Sequence, residues 1–370
     1  MVDLFKGVFK NKKILITGHT GFKGSWLSLW LSELGANVIG YALKSPAEPS
    51  LFDICSVKKR ITSVEADIRD AEFLNSIFKQ YQPEIVFHLA AQSLVRRSYK
   101  EPRNTYETNI MGTVNVFEAC RNTPSVRAVV NVTSDKCYEN CEQPAGYKEC
   151  DPMGGYDPYS SSKGCSELIT GAYIRSYFNP SEFKRHKIAV ASARSGNVLG
   201  GGDWSEDRLI PDCIRSFSEK RPIVIRFPEA IRPWQHVLEP LFGYMLLARH
   251  LYEDGPEFSG SWNFGPDETD ARPVKWIVDE VSRLWGDGAT WTLDEGQNPH
   301  EVHCLKLDCA KAKSILKWRP ILTLKPSLLK TVEWYKKYYG KKPMLDFTIE
   351  QIKTYQNEAE KGCNELQILW

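Results

Sequence analysis

Tyr159 and Lys163 stand four residues apart in the run YSSSK, so on a helix both side chains leave the same face, one turn apart. A lysine ammonium beside a phenol favours the phenolate and can lower the tyrosine pKa toward the working range. Such a phenol takes a proton from a substrate hydroxyl as hydride leaves the same carbon. The bland alternative is an ordinary exposed Tyr and Lys. Upstream, the apolar run ending in VTSDKCY puts Ser134, Asp135 and Lys136 at the carboxyl end of a strand, the edge where ligands bind in parallel α/β sheets. An acid and a potential base there exceed what simple hydride transfer needs. They imply a second proton-transfer step of the kind an elimination requires, against the alternative of a solvated loop pair.

A second constellation, TGHTGFKG (17–24), sits between the strand-like KILIT (13–17) and a helical stretch with Leu27, Trp30, Leu31 and Leu34 at helical spacing. Gly18, Gly21 and Gly24 fall where the backbone must pass close to a pyrophosphate at a helix amino terminus, and side chains there would block the phosphates. An acid about 20 residues on usually grips the adenosine ribose. After NVIG this chain reads Tyr41, Ala42, Leu43, Lys44, so the acid is missing and the motif alone does not separate NAD from NADP. Asp67, in ADIRD, is better explained as an adenine-edge contact.

Short apolar runs at 37–41, 84–90, 127–133 and 187–193 alternate with helical stretches. That rhythm predicts an α/β fold of the Rossmann type, a doubly wound parallel sheet covered by helices on both faces. After about residue 195 glycines and prolines break it. We expect residues 1–195 to form the dinucleotide-binding domain, with 232–265 returning to it, residues 196–231 and 266–335 to form a smaller α/β substrate lobe, and 336–370 to be a helical tail without readable chemistry.

Composition narrows the function classes. The 370 residues carry 48 Lys plus Arg against 46 Asp plus Glu, a net +2 with no basic run dense enough to track a phosphate backbone, so nucleic acid is not an expected partner. No apolar stretch approaches the roughly 20 residues of a membrane span, and MVDLFKGVFKNKK lacks a signal-peptide core, which predicts a cytoplasmic enzyme with no membrane partner. Ten scattered cysteines include no C-x-x-C pair. Reduced packing thiols are expected, and no metal, since Cys137, Cys141 and Cys150 lack the second close pair or histidines of a zinc site.

The strings TGHTGFKG, HLAAQ, VTSDKCY, GGYDPYSSSKG, GNVLGGGDW, RLIPD and RPWQHVLEPLFGY together resemble the CDP-glucose 4,6-dehydratases, a branch of the extended short-chain dehydrogenase/reductases, over roughly residues 10–335. The resemblance implies NAD as cofactor and a nucleotide-linked sugar as substrate. Its catalytic set would be Ser134, Asp135, Lys136, Tyr159 and Lys163. Tyr159 would deprotonate the C4 hydroxyl as hydride leaves, water would be lost across C5 and C6, and the same hydride would return to C6. Lys136 is the candidate base or a charged stabiliser of the enolate, and Asp135 the acid. In relatives acting on dTDP-glucose the matching run reads Thr, Asp, Glu.

The cofactor contacts expected from these segments are Gly18, His19, Gly21, Phe22, Gly24, Asp67, Ile68, Leu89, Ala90 and Ala91, with Tyr159 and Lys163. The expected substrate contacts are Gln92, Ser134, Asn197, Arg208, Leu209, Arg232 and His303, with Glu301 beside the last. The resemblance also implies deoxysugar and O-antigen biosynthesis and a homodimer or homotetramer paired through helices near 106–122 and 159–178. Two rivals stay open: another nucleotide-sugar dehydratase or 4-epimerase, and a catalytically silent dinucleotide sensor, which tends to lose the tyrosine or lysine present here.

Overall fold

The strand Lys13–Thr17 alternates its side chains between two faces, and each face meets a different core. Ile14 and Ile16 join Trp26, Trp30 and Leu241, whereas Leu15 joins Ile39, Phe78 and Val116. A strand buried on both sides must be covered by helices on both sides. The protein, described here as a computed structural model covering residues 4–143, 145–294, 296 and 305–365, meets that requirement. Seven parallel strands lie in the order Gly260–Phe264, Ala189–Ser195, Ala128–Val132, Ile85–His88, Lys13–Thr17, Asn37–Ala42 and Thr62–Glu65. The chain reverses its winding between Lys13–Thr17 and Ile85–His88, the switch point where ligands bind in such sheets. The last strand to join, Gly260–Phe264, reaches the sheet edge after the helix Leu238–Glu253 has crossed back over it.

The polypeptide between sheet strands 189–195 and 260–264 forms short pairings of its own. Ile223–Ile225 runs parallel to Trp291–Leu293, and Ile231–Pro233 antiparallel to Ala271–Pro273. Helices Leu209–Ser218 and Val274–Trp285 pack with them.

The terminal helices are part of the core. Leu324–Tyr339 and Met344–Glu365 bury Leu328, Trp334, Tyr335, Ile352 and Tyr355 in the cluster that covers one face of the sheet. Their polar groups are also committed: the Trp334 indole donates to Thr348 Oγ1 at 2.9 Å, and the Tyr335 hydroxyl donates to the Asp203 carbonyl at 2.5 Å. Glu239, fully buried, accepts from Tyr355 at 2.8 Å and from the amides of Ile321 and Leu322. Burial raises that carboxyl to about 7 despite these donors.

Candidate active site

The glycine turn is built for close approach. Gly18 has φ +77°, in the left-handed region, and a Cβ on it would lie 2.7 Å from the Ala90 amide nitrogen; one on Gly24 would lie 2.1 Å from the Gly18 carbonyl oxygen. Thr17 ties the two loops at the switch point together, its hydroxyl oxygen accepting from the amides of Leu89 and Ala90 at 3.1 Å each. The result is a helix amino terminus with bare backbone at the crevice, a cradle that fits a dinucleotide pyrophosphate.

The neighbouring candidates divide by where their side chains go. Phe22 and Ala91 are half-buried beside the turn. His19 departs from a contact through its ring: the imidazole is buried, hydrogen-bonded through Nε2 to Ser63 Oγ at 2.7 Å and pressed on Gly40, where a Cβ would lie 2.3 Å from it. Burial lowers its pKa to about 4, so near neutral pH it is an uncharged packing element, and only its backbone belongs to the turn. Ile68 is likewise a core side chain, filling the space beside Gly112. Asp67 is held below the usual carboxylate range by hydrogen bonds from Arg69.

The helix Pro158–Ser176 starts sharply because Asp157 caps it, accepting from the Ser160 amide at 2.9 Å, with proline in the first position; such a cap contributes about 1 kcal/mol. Tyr159, Lys163 and Glu167 then follow at four-residue spacing on a buried face. Burial raises the Tyr159 phenol to about 12, and the groups that draw it back down are Ser134 and Arg208. Lys163 donates to the Val132 carbonyl at 3.2 Å, and burial lowers its own pKa to about 8.

Ser134, Asp135 and Lys136 leave the sheet in a single turn. The Ser134 hydroxyl donates to Asp135 Oδ1 at 3.0 Å and accepts from the Lys136 amide at 3.2 Å. Asp135 is 2 % exposed, and its Oδ2 has no hydrogen-bond partner among the described residues. Burial raises this carboxyl above its ordinary value against the pull of Lys136, Ser134, Lys23 and Arg232.

Behind this strand end lies a buried polar network. Glu167 pairs with Arg194 at 2.7 Å and accepts from Thr133, Ser192 and Ser261. Arg194 donates on to Tyr138, and Tyr138 to Asn263 at 2.8 Å. Asn109 does similar work on the other side: from a π-helical turn it accepts from the Gln92 amide and donates to the Gln92 carbonyl and Ser162 Oγ, clamping a loop of the crevice to the helix Pro158–Ser176. Sequence reasoning missed Asn109, whose signal, a widened turn inside a helix, has no residue signature.

A cavity of about 360 Å³ opens in front of the strand ends, lined by Ser134, Asp135, Lys136 and Tyr159 on the sheet side. Of the expected substrate contacts it brings in Asn197, Arg208, Leu209 and Arg232. Gln92 does not line it; its side chain closes its own loop onto Leu94 and Thr105. His303 and Glu301 lie outside the described residues. Three cations that the sequence reading passed over also line the cavity: Lys23, Arg96 and Arg226. Arg96 and Arg226 share Asp207, and Arg208 is held by Asp203 at 2.9 Å. Lys23 donates to Ser195 Oγ at 2.7 Å beside Tyr244, with burial lowering it to about 7. Such a ring of anchored cations suits a polyanion such as a diphosphate. No group of three or more metal-ligating side chains occurs among the described residues, and no described helix is long and apolar enough to cross a membrane.

The chain is similar to known proteins in sequence and in fold. A CDP-glucose 4,6-dehydratase of Salmonella typhimurium is 52% identical over 361 residues, spanning 98% of this chain and 100% of that protein. A dTDP-glucose 4,6-dehydratase of Haemophilus influenzae is 27% identical, spanning 87% of this chain and 97% of the relative. Among solved structures, the Thermotoga maritima UDP-glucose 4-epimerase with UDP-glucose superposes with TM-score 0.76 at 23% identity, covering 88% of this chain and 99% of that one. The Bacillus anthracis dTDP-glucose 4,6-dehydratase in complex with NAD does so with TM-score 0.72 at 22% identity, covering 90% and 99%. At these identities the structural likeness speaks for the fold. The model of the GDP-mannose 4,6 dehydratase family matches residues 15–250, and this chain therefore belongs to that family.

Proposed function

We propose that this protein is an NAD-dependent hydro-lyase that converts CDP-D-glucose to CDP-4-dehydro-6-deoxy-D-glucose. The observation that carries the reading is the acid and lysine of one strand end, Asp135 and Lys136, lining the same cavity as Tyr159; the 52% identity to the Salmonella protein supports the choice of substrate.

NAD, when bound, supplies a hydride acceptor that gives the hydride back within one turnover. Gly18, Gly21 and Gly24 would take its pyrophosphate, and Lys163 its nicotinamide ribose side beside Tyr159. Tyr159 removes the C4 hydroxyl proton, with Ser134 holding that oxygen. The ketone so formed acidifies the C5 proton, which a modest base then removes. Lys136 is that base, or a cation that stabilises the enolate, and Asp135, kept protonatable by burial, delivers a proton to the departing C6 hydroxyl. Arg208 and Arg232, joined by Arg96 and Arg226, hold the diphosphate, and Asn197 and Leu209 border the nucleotide. In this reading residues 196–231 and 266–335 act as the substrate lobe.

The absence of an acid after Ala42, with Lys44 84 % exposed on its side chain, leaves NADP open as a second cofactor. The helices Gly112–Arg121 and Pro158–Ser176 and their flanks expose Tyr106, Met111 and Leu168, which supports a homodimer through that face. The product's chemistry fits deoxysugar biosynthesis for O-antigen in the cytoplasm.

Incubation with NAD and a panel of CDP-, dTDP-, GDP- and UDP-hexoses, read by mass, tests the reading. Loss of one water from CDP-glucose is expected; an isomer of unchanged mass would mean an epimerase, and no reaction a sensor. Lys136→Met should keep cofactor binding and lose solvent deuterium incorporation at C5, and unchanged exchange would remove Lys136 from the base role.

A further inference from the structure

A nucleoside diphosphate hexose has three parts, and the groups named so far account for two of them. With the hexose at Tyr159 and the diphosphate on Arg208 and Arg232, the base lies beyond them, where the cavity wall is made by the helix Leu209–Ser218 and the strand Ile223–Ile225. Pyrimidines of similar shape differ there in one group. Cytosine carries a 4-amino group, a donor, whereas uracil and thymine carry the acceptor O4. Telling them apart calls for an acceptor fixed in this wall.

The wall contains one. Its strand alternates: Ile223 and Ile225 are 4 % and 3 % exposed, while Val224 between them is 58 % exposed and lines the cavity. Leu209 lines it from the helix, and Asp212, three residues on and so on the same helical face, lines it too. Two apolar side chains for a flat ring thus stand beside a carboxylate. Of the three acids that this lobe brings to the cavity, Asp203 is spent on Arg208 and the Ser205 amide. Asp207 is answered by two cations of the cavity itself, Arg96 and Arg226. Asp212 pairs instead with Arg215, which does not line the cavity and is itself fixed by donating to the carbonyls of Trp204 and Ser205. Arg215 takes Asp212 Oδ1, and no described residue hydrogen-bonds Oδ2. The carboxylate is held from behind, with one acceptor oxygen to spare.

We propose that Asp212 reads the base: its spare carboxylate oxygen accepts a 4-amino hydrogen of cytosine and repels O4 of uracil or thymine. This inference rests on the dehydration of a nucleotide hexose in this cavity, and it names the residue that makes that hexose a CDP derivative. A carboxylate only accepts, whereas an amide of the same size presents either an oxygen or an NH2 group. Asp212→Asn therefore keeps the shape of the wall and removes its preference.

The experiment titrates CDP and UDP into the NAD-loaded protein by calorimetry and measures kcat and KM with CDP-glucose and UDP-glucose, for the parent, Asp212→Asn and Asp207→Asn. The parent should bind CDP more tightly than UDP by on the order of 10- to 100-fold. Asp212→Asn should bring that ratio close to one, by tighter UDP as well as weaker CDP, and the change should fall on KM more than on kcat. Asp207→Asn should move both nucleotides by a common factor. An unchanged ratio in Asp212→Asn overturns the assignment, as does a ratio that collapses only in Asp207→Asn. A merely structural Asp212 would weaken both nucleotides alike, which overturns it as well. Should Asp212→Asn fail to fold, the parent decides with the 5′-diphosphate of pyrimidin-2-one riboside, in which hydrogen replaces the 4-amino group. Weakening by a similar 10- to 100-fold supports the reading of that group, and binding as tight as that of CDP overturns it. Failure of the parent to dehydrate any nucleotide hexose would instead defeat the functional reading.

Discussion

Two buried carboxylates flank the end of the strand Ala128–Val132, and they are treated in opposite ways. Glu167, behind it, meets Arg194 and three hydroxyls. Burial by itself would raise its pKa, but Arg194 with Thr133 and Ser192 more than offsets this and holds it below the ordinary value. Asp135, in front, has one hydrogen-bonded oxygen and one without a partner, and sits above its ordinary value. The protein thus satisfies one carboxylate and leaves the other with an oxygen unpaired. A satisfied buried charge fixes a scaffold, whereas an unsatisfied one is a group held ready for chemistry.

The difference is open to direct attack. Arg194→Met leaves Glu167 buried without its counter-charge and should cost about 3–5 kcal/mol of stability in urea unfolding; a loss below 1 kcal/mol would mean that the rear network holds little. Asp135→Asn should lower kcat on the order of 10²-fold while leaving the unfolding midpoint unchanged or raised. A lower midpoint with kcat intact would erase the distinction. The pH dependence of stability gives the finest contrast. Glu167 has a depressed folded pKa, so its contribution is present above its unfolded value of about 4.3 and disappears as pH falls through the folded value. Asp135 has a raised folded pKa, so it destabilises the fold as pH rises past its unfolded value of about 3.9. The stability gain of Asp135→Asn should accordingly appear near neutral pH and vanish in acid, and a gain that is flat with pH would count against a strained carboxyl.

Local chemistry was readable and long-range placement was not. The turn Gly18–Gly24 and the pair Tyr159 and Lys163 are fixed by backbone sterics and helical spacing, both written in consecutive residues, as are the apolar runs that became the parallel strands. Lys23 joins Ser195 and Tyr244 from 172 and 221 residues away, and Arg96 and Arg226 meet at Asp207 only once the lobe has folded. The position of His19 in the turn is written in the motif, whereas the bareness of Gly40 that lets its ring turn inward belongs to another strand. Gln92, equally well placed by motif, spends its side chain on Leu94 and Thr105, a loop closure that no spacing announces.

The helix Met344–Glu365 carries a consequence for how the chain is made. Tyr355 packs edge-on to both Trp30 and Phe242 and donates to Glu239, so the hydrophobic wall raised by the first helix of the molecule is finished by its last. During synthesis that wall stays open to water until residues 344–365 have emerged. Completion of the nucleotide-binding sheet does not by itself seal the fold, and a chain cut before this helix exposes a sticky surface instead of forming a smaller enzyme.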